Sequence, residues 1–461
     1  MVALSWLRSL AGPGARSGFH RRCSSARPSH PDPPTAPATG KYKTIDDLPG
    51  PSFATTLHWL LVKGYADKNH ALQIEHQRLY GPIWRSRFGP FDLVNVASPE
   101  LIAQVIRQEG RYPIRIELPH WKEYLDLRGQ AYGLHVNTGP EWYRIRSVLN
   151  PKMLKVRAAS SYAPIIHRVV ADLLHRVELL RLRSQDQVTL SDVSAELYKF
   201  GFEGISSILF ETRLGCLKEE IPKDTLRFIS ATSEMLMLSD VVILFPRWSR
   251  GVLPFWRRFT QAWDNLFDTS NTLSWTLYHL ARDRRIQQKL HGEITSVCPD
   301  RQRPAVEDLA RMPYLKAVIK ETLRMYPVVP GNGRYTVENE VVVDNYWFPK
   351  KTQFHLCHYA SSHSEGEFAN AQQFVPERWM RDGPGGYQHH PYSFIPFGVG
   401  VRACVGKRVA ELEMYFALTR LMQHYEVQPE DGAPVVEPKT RTLLVPAKPI
   451  NLRFLPRQEH E

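Results

Sequence analysis

Apolar residues recur at helical spacing through most of the stretch from residue 101 to about residue 285, most plainly over 197–209. The same period returns over 71–80, over 314–326 and, strongly, over 405–425. Period-two alternation, rich in β-branched and aromatic side chains, marks three other places. These are 83–96, where Gly89-Pro90 interrupts two strand-like runs, then 335–356, and a tail over 435–455. The patterns predict a mainly α fold with a small β portion, α+β in class. Pro49-Gly50-Pro51 opens the folded part with a rigid turn, and no internal repeat is visible. Nothing marks off a second unit, so residues 41–461 are expected to form one domain.

Residues 1–40 are a different object. They hold five arginines (Arg8, Arg16, Arg21, Arg22, Arg27) against one acid, Asp32, and are rich in Ser, Ala and Pro. This composition suits a mitochondrial presequence, whose positive charge responds to the membrane potential; the bland alternative is a disordered basic tail. The whole chain carries a net charge of +12. No basic run with interleaved aromatics accompanies it, which argues against nucleic acid and for an acidic protein partner or an anionic membrane surface. No window approaches the ~20 apolar residues of a membrane span.

The cysteines, Cys23, Cys216, Cys298, Cys357 and Cys404, are odd in number, far apart and without a CxxC pair. They indicate neither a disulfide framework nor a zinc ribbon. His355, Cys357, His358 and His363 lie close in sequence. On a strand His355 and Cys357 share a face while His358 points away, which makes tetrahedral zinc ligation awkward.

The most specific segment is Phe397-Gly398-Val399-Gly400-Val401-Arg402-Ala403-Cys404-Val405-Gly406, which leads into the helix that carries Arg408 and Glu411. Its glycines permit positive φ and let a flat ligand come close to the backbone. Cys404 sits just ahead of a helix start, where free N–H groups favour negative charge on sulfur. Such a thiolate is a strong axial ligand for haem iron, and its electron donation favours O–O cleavage. Two bland alternatives are a packed thiol and a phosphate-cradling loop. The second lacks a third glycine and a surrounding strand-helix-strand unit.

This loop, together with Glu321-Thr322-Leu323-Arg324 and Pro376-Glu377-Arg378-Trp379, resembles the signature set of the cytochrome P-450 family, in order and at similar distances. The resemblance spans nearly all of residues 42–455. It implies the P-450 fold and haem b (iron protoporphyrin IX) bound through Cys404, with Phe397 and Gly406 in the loop beside it. It implies that Glu321, Arg324 and Arg378 form a buried structural triad. It places Trp142 and Arg146, a WxxxR pair on a helix opening at Gly139-Pro140, at a haem propionate, with Arg402 and Arg334 as further cationic partners. Arginine suits that task because its planar fork grips a carboxylate with two bonds.

The leader resembles mitochondrial members, which take electrons from an adrenodoxin-type ferredoxin; Lys316 and Lys320, i,i+4 on one helix, lie where those members dock it. Residues 116–132, 198–205 and Pro246-Arg247-Trp248 resemble the branch acting on sterols, vitamin D and retinoids, above all the member that desaturates the ring of retinol. This implies a monooxygenase of the mitochondrial inner membrane, on its matrix side, that oxidises an apolar isoprenoid. A sterol or vitamin D hydroxylase is the alternative. Residues 236–248 would suit a peripheral membrane contact. Trp121, Leu134, Val328, Val329, Leu443 and Leu444 are candidates for an apolar substrate pocket.

One stretch departs from the family. The oxygen-activating helix matches downstream of Thr269, through Trp275 and His279, but upstream the chain reads as the end of a preceding helix. A loss of ~50–60 residues around Phe267-Asp268 would explain the join, enough for several helices at 1.5 Å per residue. Asp268 and Thr269 are then the catalytic candidates, with Asp268 standing in strict register where a threonine belongs. Two further classes stay open here: a haem-binding variant impaired in catalysis, and a helical carrier or scaffold without haem.

Overall fold

The longest described helix, Ala163–Arg183, buries Ile166, Val169, Val170, Leu173 and Val177 along one face, as the 3.6-residue period requires. It packs on Lys407–His424, where His167 stacks against Phe416 with ring centroids 4.2 Å apart. Asn271–Arg282 and Pro313–Met325 complete this core, and Trp275 lies flat on Tyr326, 4.0 Å between centroids and 6° between planes. Each large apolar side chain fully buried in it contributes about 1.5–3 kcal/mol. The fold is described, in a computed structural model, for residues 42–88, 91–115, 119–130, 132–209, 211–242, 256, 259, 271–336, 339–381, 383 and 389–458.

The β portion is split into small sheets. Ile83–Phe88 and Phe91–Val96 form an antiparallel hairpin with Ile83 opposite Val96. Phe91–Val96 then pairs in parallel with Thr352–Leu356, which pairs antiparallel with Asn332–Thr336. Val94, Val96, Phe354 and Leu356 fill a second core beneath this sheet. The predicted tail resolves into Pro438–Arg441, Leu443–Pro446 and Leu452–Pro456. The chain is therefore mainly α with a small β portion. No described helix is long and apolar enough to cross a membrane.

Two local devices fix the elements that frame the site. Pro313 opens its helix at a position where no N–H is needed, and the half-buried Glu293 carboxylate accepts from the next two amides, Tyr314 N and Leu315 N, at 2.7 and 2.8 Å. Tyr335 N donates to Ile114 O at 2.9 Å. That bridge brings the segment carrying Arg115 alongside the strand carrying Arg334.

Candidate functional site

Gly398 and Gly400 adopt φ of +69° and +70°, the left-handed region that penalises any side chain. The chain turns on them and closes with Cys404 N donating to Phe397 O at 2.8 Å and Ala403 N to Gly400 O at 3.1 Å. Cys404 is a free, half-buried thiol. A Cβ at Gly406 would stand 4.0 Å from its sulfur, so glycine keeps the approach to Sγ open. The following helix begins at Lys407 with Gly406 at its N-cap, two residues later than the hydrophobic pattern predicts. Cys404 thus precedes the cap instead of touching the first turn.

Around this loop arginines converge. Arg146 donates to Ala403 O, and Arg115 Nη2 to Arg402 O at 2.8 Å. Arg402 donates through Nε to Pro113 O at 2.6 Å and lies 3.7 Å above the centre of the buried Trp142 ring. Arg334 donates to Val399 O at 3.1 Å and to the Glu109 carboxylate. Arg402, Arg334 and Arg146 are only 2%, 3% and 5% exposed. Among the described residues no carboxylate forms an ion pair with Arg115, Arg146 or Arg402; Glu109 pairs with Arg334 and acts on Arg402 only at longer range.

The electrostatics register this imbalance. Burial and then the neighbouring guanidinium groups, Arg115 first, push Arg402 down to about 9. Burial and Arg334 push Arg115 down to about 10, and burial lowers Arg146, while charge on Cys404 pulls both the other way. Burial, then Arg115 and Arg402, lower the His135 imidazole to about 4. Four buried or half-buried cations beside one carboxylate repel one another strongly in a low-dielectric surround and call for an anion. A flat cofactor that bears carboxylates and a metal would meet both requirements, with the arginines to hold the carboxylates and Cys404 to bind the metal. The residues present fit haem.

Behind the loop Glu321, fully buried, is a hub. It accepts from Arg324 Nε and Nη2 at 3.0 and 2.8 Å, Arg378 Nε at 3.0 Å, Trp379 Nε1 at 2.9 Å and Val375 N at 3.0 Å. The guanidinium groups spend their remaining donors on carbonyls of 362–373, among them Ser362 O and Ala371 O for Arg324 and Ala369 O for Arg378. The structure therefore brings together the three residues expected as a triad. Lys316 and Lys320, on the same helix, are half-buried, with the Lys320 ammonium 5.5 Å from the centre of the Trp379 ring.

The sequence profile of the family "Cytochrome P450" matches residues 48–269 and then 268–454. The chain belongs to the cytochrome P450 family. It is 39% identical to "Sterol 26-hydroxylase, mitochondrial" of Rattus norvegicus over 488 aligned positions, covering 92% of this chain and 91% of that one. It is 38% identical to "25-hydroxyvitamin D-1 alpha hydroxylase, mitochondrial" of Homo sapiens, covering 90% and 93%, and 35% identical to "Cytochrome P450 27C1" of Danio rerio, covering 91% and 88%. Members of the family are haem-binding monooxygenases. The family match breaks at Asp268-Thr269, where the hydrophobic pattern also breaks. An alignment of 488 positions that takes in 92% of 461 residues leaves several tens of positions without a counterpart in this P450.

Asp268, Thr269 and Pro246-Arg247-Trp248 lie outside the described residues. Among the pocket candidates, Leu444 N donates to Val328 O at 2.8 Å, with Leu444 buried, Leu443 and Leu134 half-buried, and Val329 39% exposed. Trp121 belongs to a separate apolar cluster with Tyr124, Met235 and Phe259, and its Nε1 donates to Ser239 Oγ at 3.0 Å. The hydrophobic pattern gives no sign of Glu109, Arg115 or His135. All three lie in connections between helices, where no periodicity singles a residue out.

Proposed function

We propose that this chain is a mitochondrial haem-thiolate monooxygenase in which the Cys404 thiolate binds the iron, while Arg146, Arg402, Arg334 and Arg115, with Trp142 beneath Arg402, hold the propionates. The observation that carries this reading is a cluster of four arginines that shares one carboxylate, Glu109, beside a cysteine on a positive-φ glycine loop. Haem, when bound, supplies the activation of O2 with electrons delivered from outside. The chain's own residues orient the ring, balance its two carboxylates and keep Sγ uncovered. Residues 41–461 act as one haem domain behind a presequence at 1–40. The mitochondrial relatives support a place at the inner membrane, on the matrix side. Lys316 and Lys320 then meet an acidic adrenodoxin-type ferredoxin by long-range attraction, which suits a transient contact.

The substrate class is an apolar isoprenoid. The sterol and vitamin D hydroxylases among the relatives support hydroxylation of a sterol-like molecule; the resemblance noted over 116–132 and 198–205 supports desaturation of retinol. Turnover of cholesterol, 25-hydroxyvitamin D and retinol with ferredoxin and its reductase separates the two. The interrupted family match favours a second reading, a haem-binding form impaired in oxygen chemistry because Asp268 and Thr269 follow a shortened segment. Wild type that shows the red-shifted Soret band of a thiolate-ligated carbonyl adduct but no turnover of any of these supports that second reading. A Cys404→Ser protein that keeps the band refutes the ligand assignment.

A further inference from the structure

We propose that Glu109 sets how readily the bound iron accepts an electron: its carboxylate is the protein's own counter-charge in the arginine clamp and holds the reduction potential down. The proposal rests on the P450 reading and adds to it a residue that acts through Arg334.

Several contacts fix Glu109 in place. The Pro99–Arg107 helix buries Leu101, Ile102 and Val105 and ends on Gln108. Gln108 Nε2 donates to Val342 O at 2.7 Å and its Oε1 accepts from Val342 N at 3.0 Å, which ties the helix end to the Val341–Val343 strand. Glu109 N donates to Ile106 O at 3.2 Å and so closes the last turn. One Glu109 oxygen accepts from Arg334 Nε, and the other lies 3.4 Å from where a Cβ would stand at Gly400, in the cysteine loop. Arg334 spends Nη1 on Gly333 O at 3.0 Å and Nη2 on Val399 O at 3.1 Å, so each terminal nitrogen keeps one N–H for a propionate. A cavity of about 80 Å³ adjoins the pair, lined also by Tyr112, Thr336 and Asn339. It leaves room for water beside the carboxylate, which together with Arg334 keeps that group charged.

The charges of the clamp then balance. Four guanidinium groups would face two propionates, the Cys404 thiolate and Glu109, and this set is neutral only with Glu109 ionised. Iron and porphyrin ring together carry one positive charge when ferric and none when ferrous. With Glu109 in place, an electron from the ferredoxin therefore brings the whole site to neutrality. Without it the reduced site still holds a positive charge, and the electron is drawn in more strongly. Loss of the carboxylate must favour reduction. A carboxylate that merely held Arg334 in place would act differently, because its loss would loosen the clamp and release the cofactor. Under the charge reading the propionates meet a more positive clamp and stay at least as firmly bound.

The test titrates the haem-loaded full chain with dithionite and dye mediators, without substrate, and reads the ferric and ferrous Soret bands. A unit charge acting over about 10 Å at an effective dielectric of about 20 shifts such an equilibrium about tenfold. Glu109→Gln should therefore favour the ferrous form about tenfold, which is about 59 mV upward for one electron. Its haem transfer to apomyoglobin should be no faster than in wild type. Glu109→Asp keeps the charge and should stay within about twofold of wild type. Asn339→Asp adds an acid to the same cavity and should move the equilibrium the other way, whether or not Glu109→Gln folds. An unchanged equilibrium in Glu109→Gln, an equal rise in Glu109→Asp, a rise in Asn339→Asp, or faster haem loss in Glu109→Gln overturns the proposal. Wild type that takes up no haem sinks the P450 reading and the proposal with it, whereas wild type that binds haem beside an unmoved Glu109→Gln sinks the proposal alone.

Discussion

Glu413 should make this protein less stable at neutral pH than in mild acid. The side chain sits in the Lys407–His424 helix, the residue is 5% exposed, and its Oε1 has no hydrogen-bond partner among the described residues. It faces Gly204, where a Cβ would stand 2.3 Å from that oxygen. Burial pushes the carboxyl from its ordinary 4.5 up to about 8. Below 4.5 both native and unfolded chains hold the proton and the group costs nothing through linkage. As pH rises from 4.5 toward 8 the unfolded chain releases the proton while the native one keeps it. The native state then binds more protons, and stability falls by ~1.4 kcal/mol per pH unit.

Between pH 5 and pH 7.5 this one group should therefore remove ~3 kcal/mol, a large share of a typical net stability. Glu413→Gln abolishes the titration at almost constant shape. Its amide leaves an unpaired group at a cost of ~1–3 kcal/mol, but at every pH alike. The informative quantity is the change in the mutant-minus-wild-type difference with pH, from which all shared titrations cancel. Urea unfolding of the haem-loaded proteins, followed by tryptophan fluorescence near pH 5, 6 and 7.5, should show the mutant gaining ~3 kcal/mol on wild type across that span. A difference that stays flat with pH would refute a neutral buried acid at this position.

Gly204→Ala should destabilise wild type by ~1–3 kcal/mol through the clash with Glu413, yet become neutral or stabilising by up to ~1 kcal/mol in a Glu413→Ala background, as urea melts of the double cycle would show. Glu321→Ala strands two buried guanidinium groups and should cost ~3–5 kcal/mol; a loss under 1 kcal/mol with haem retained would contradict the hub. Arg115→Leu should speed haem transfer to apomyoglobin about tenfold, the worth of one charge-assisted hydrogen bond, and an unchanged rate would remove Arg115 from the propionate clamp.

What could be read from the residues, and what could not, follows from how local each constraint is. Cys404, Gly398 and Gly400 lie in one ten-residue loop, and Glu321 and Arg324 sit three apart on one helix, so each group could be recognised within a short stretch, although the hub that Glu321 forms with Arg378 and Trp379 spans 57 and 58 positions. Trp142 and Arg146 were legible for the same reason, four apart on one helix. The discontinuity at Asp268-Thr269 showed itself because a helical pattern stops fitting there, and the family match breaks at the same pair. Arg115 and His135 are different. They reach the site only through the bridge between Ile114 and Tyr335 and through a bond across 287 positions to Arg402 O, neither of which leaves a periodic trace. Glu413 lies between these cases. Glu411 pairs with Arg408 at 3.0 Å toward solvent, and a residue two positions on points roughly 200° away around an α-helix. An acid at 413 was therefore bound to face inward if the helix has a buried side at all. What spacing withheld was the partner: only the packed structure shows a glycine opposite it, leaving room for a carboxyl group but supplying nothing to bond its Oε1.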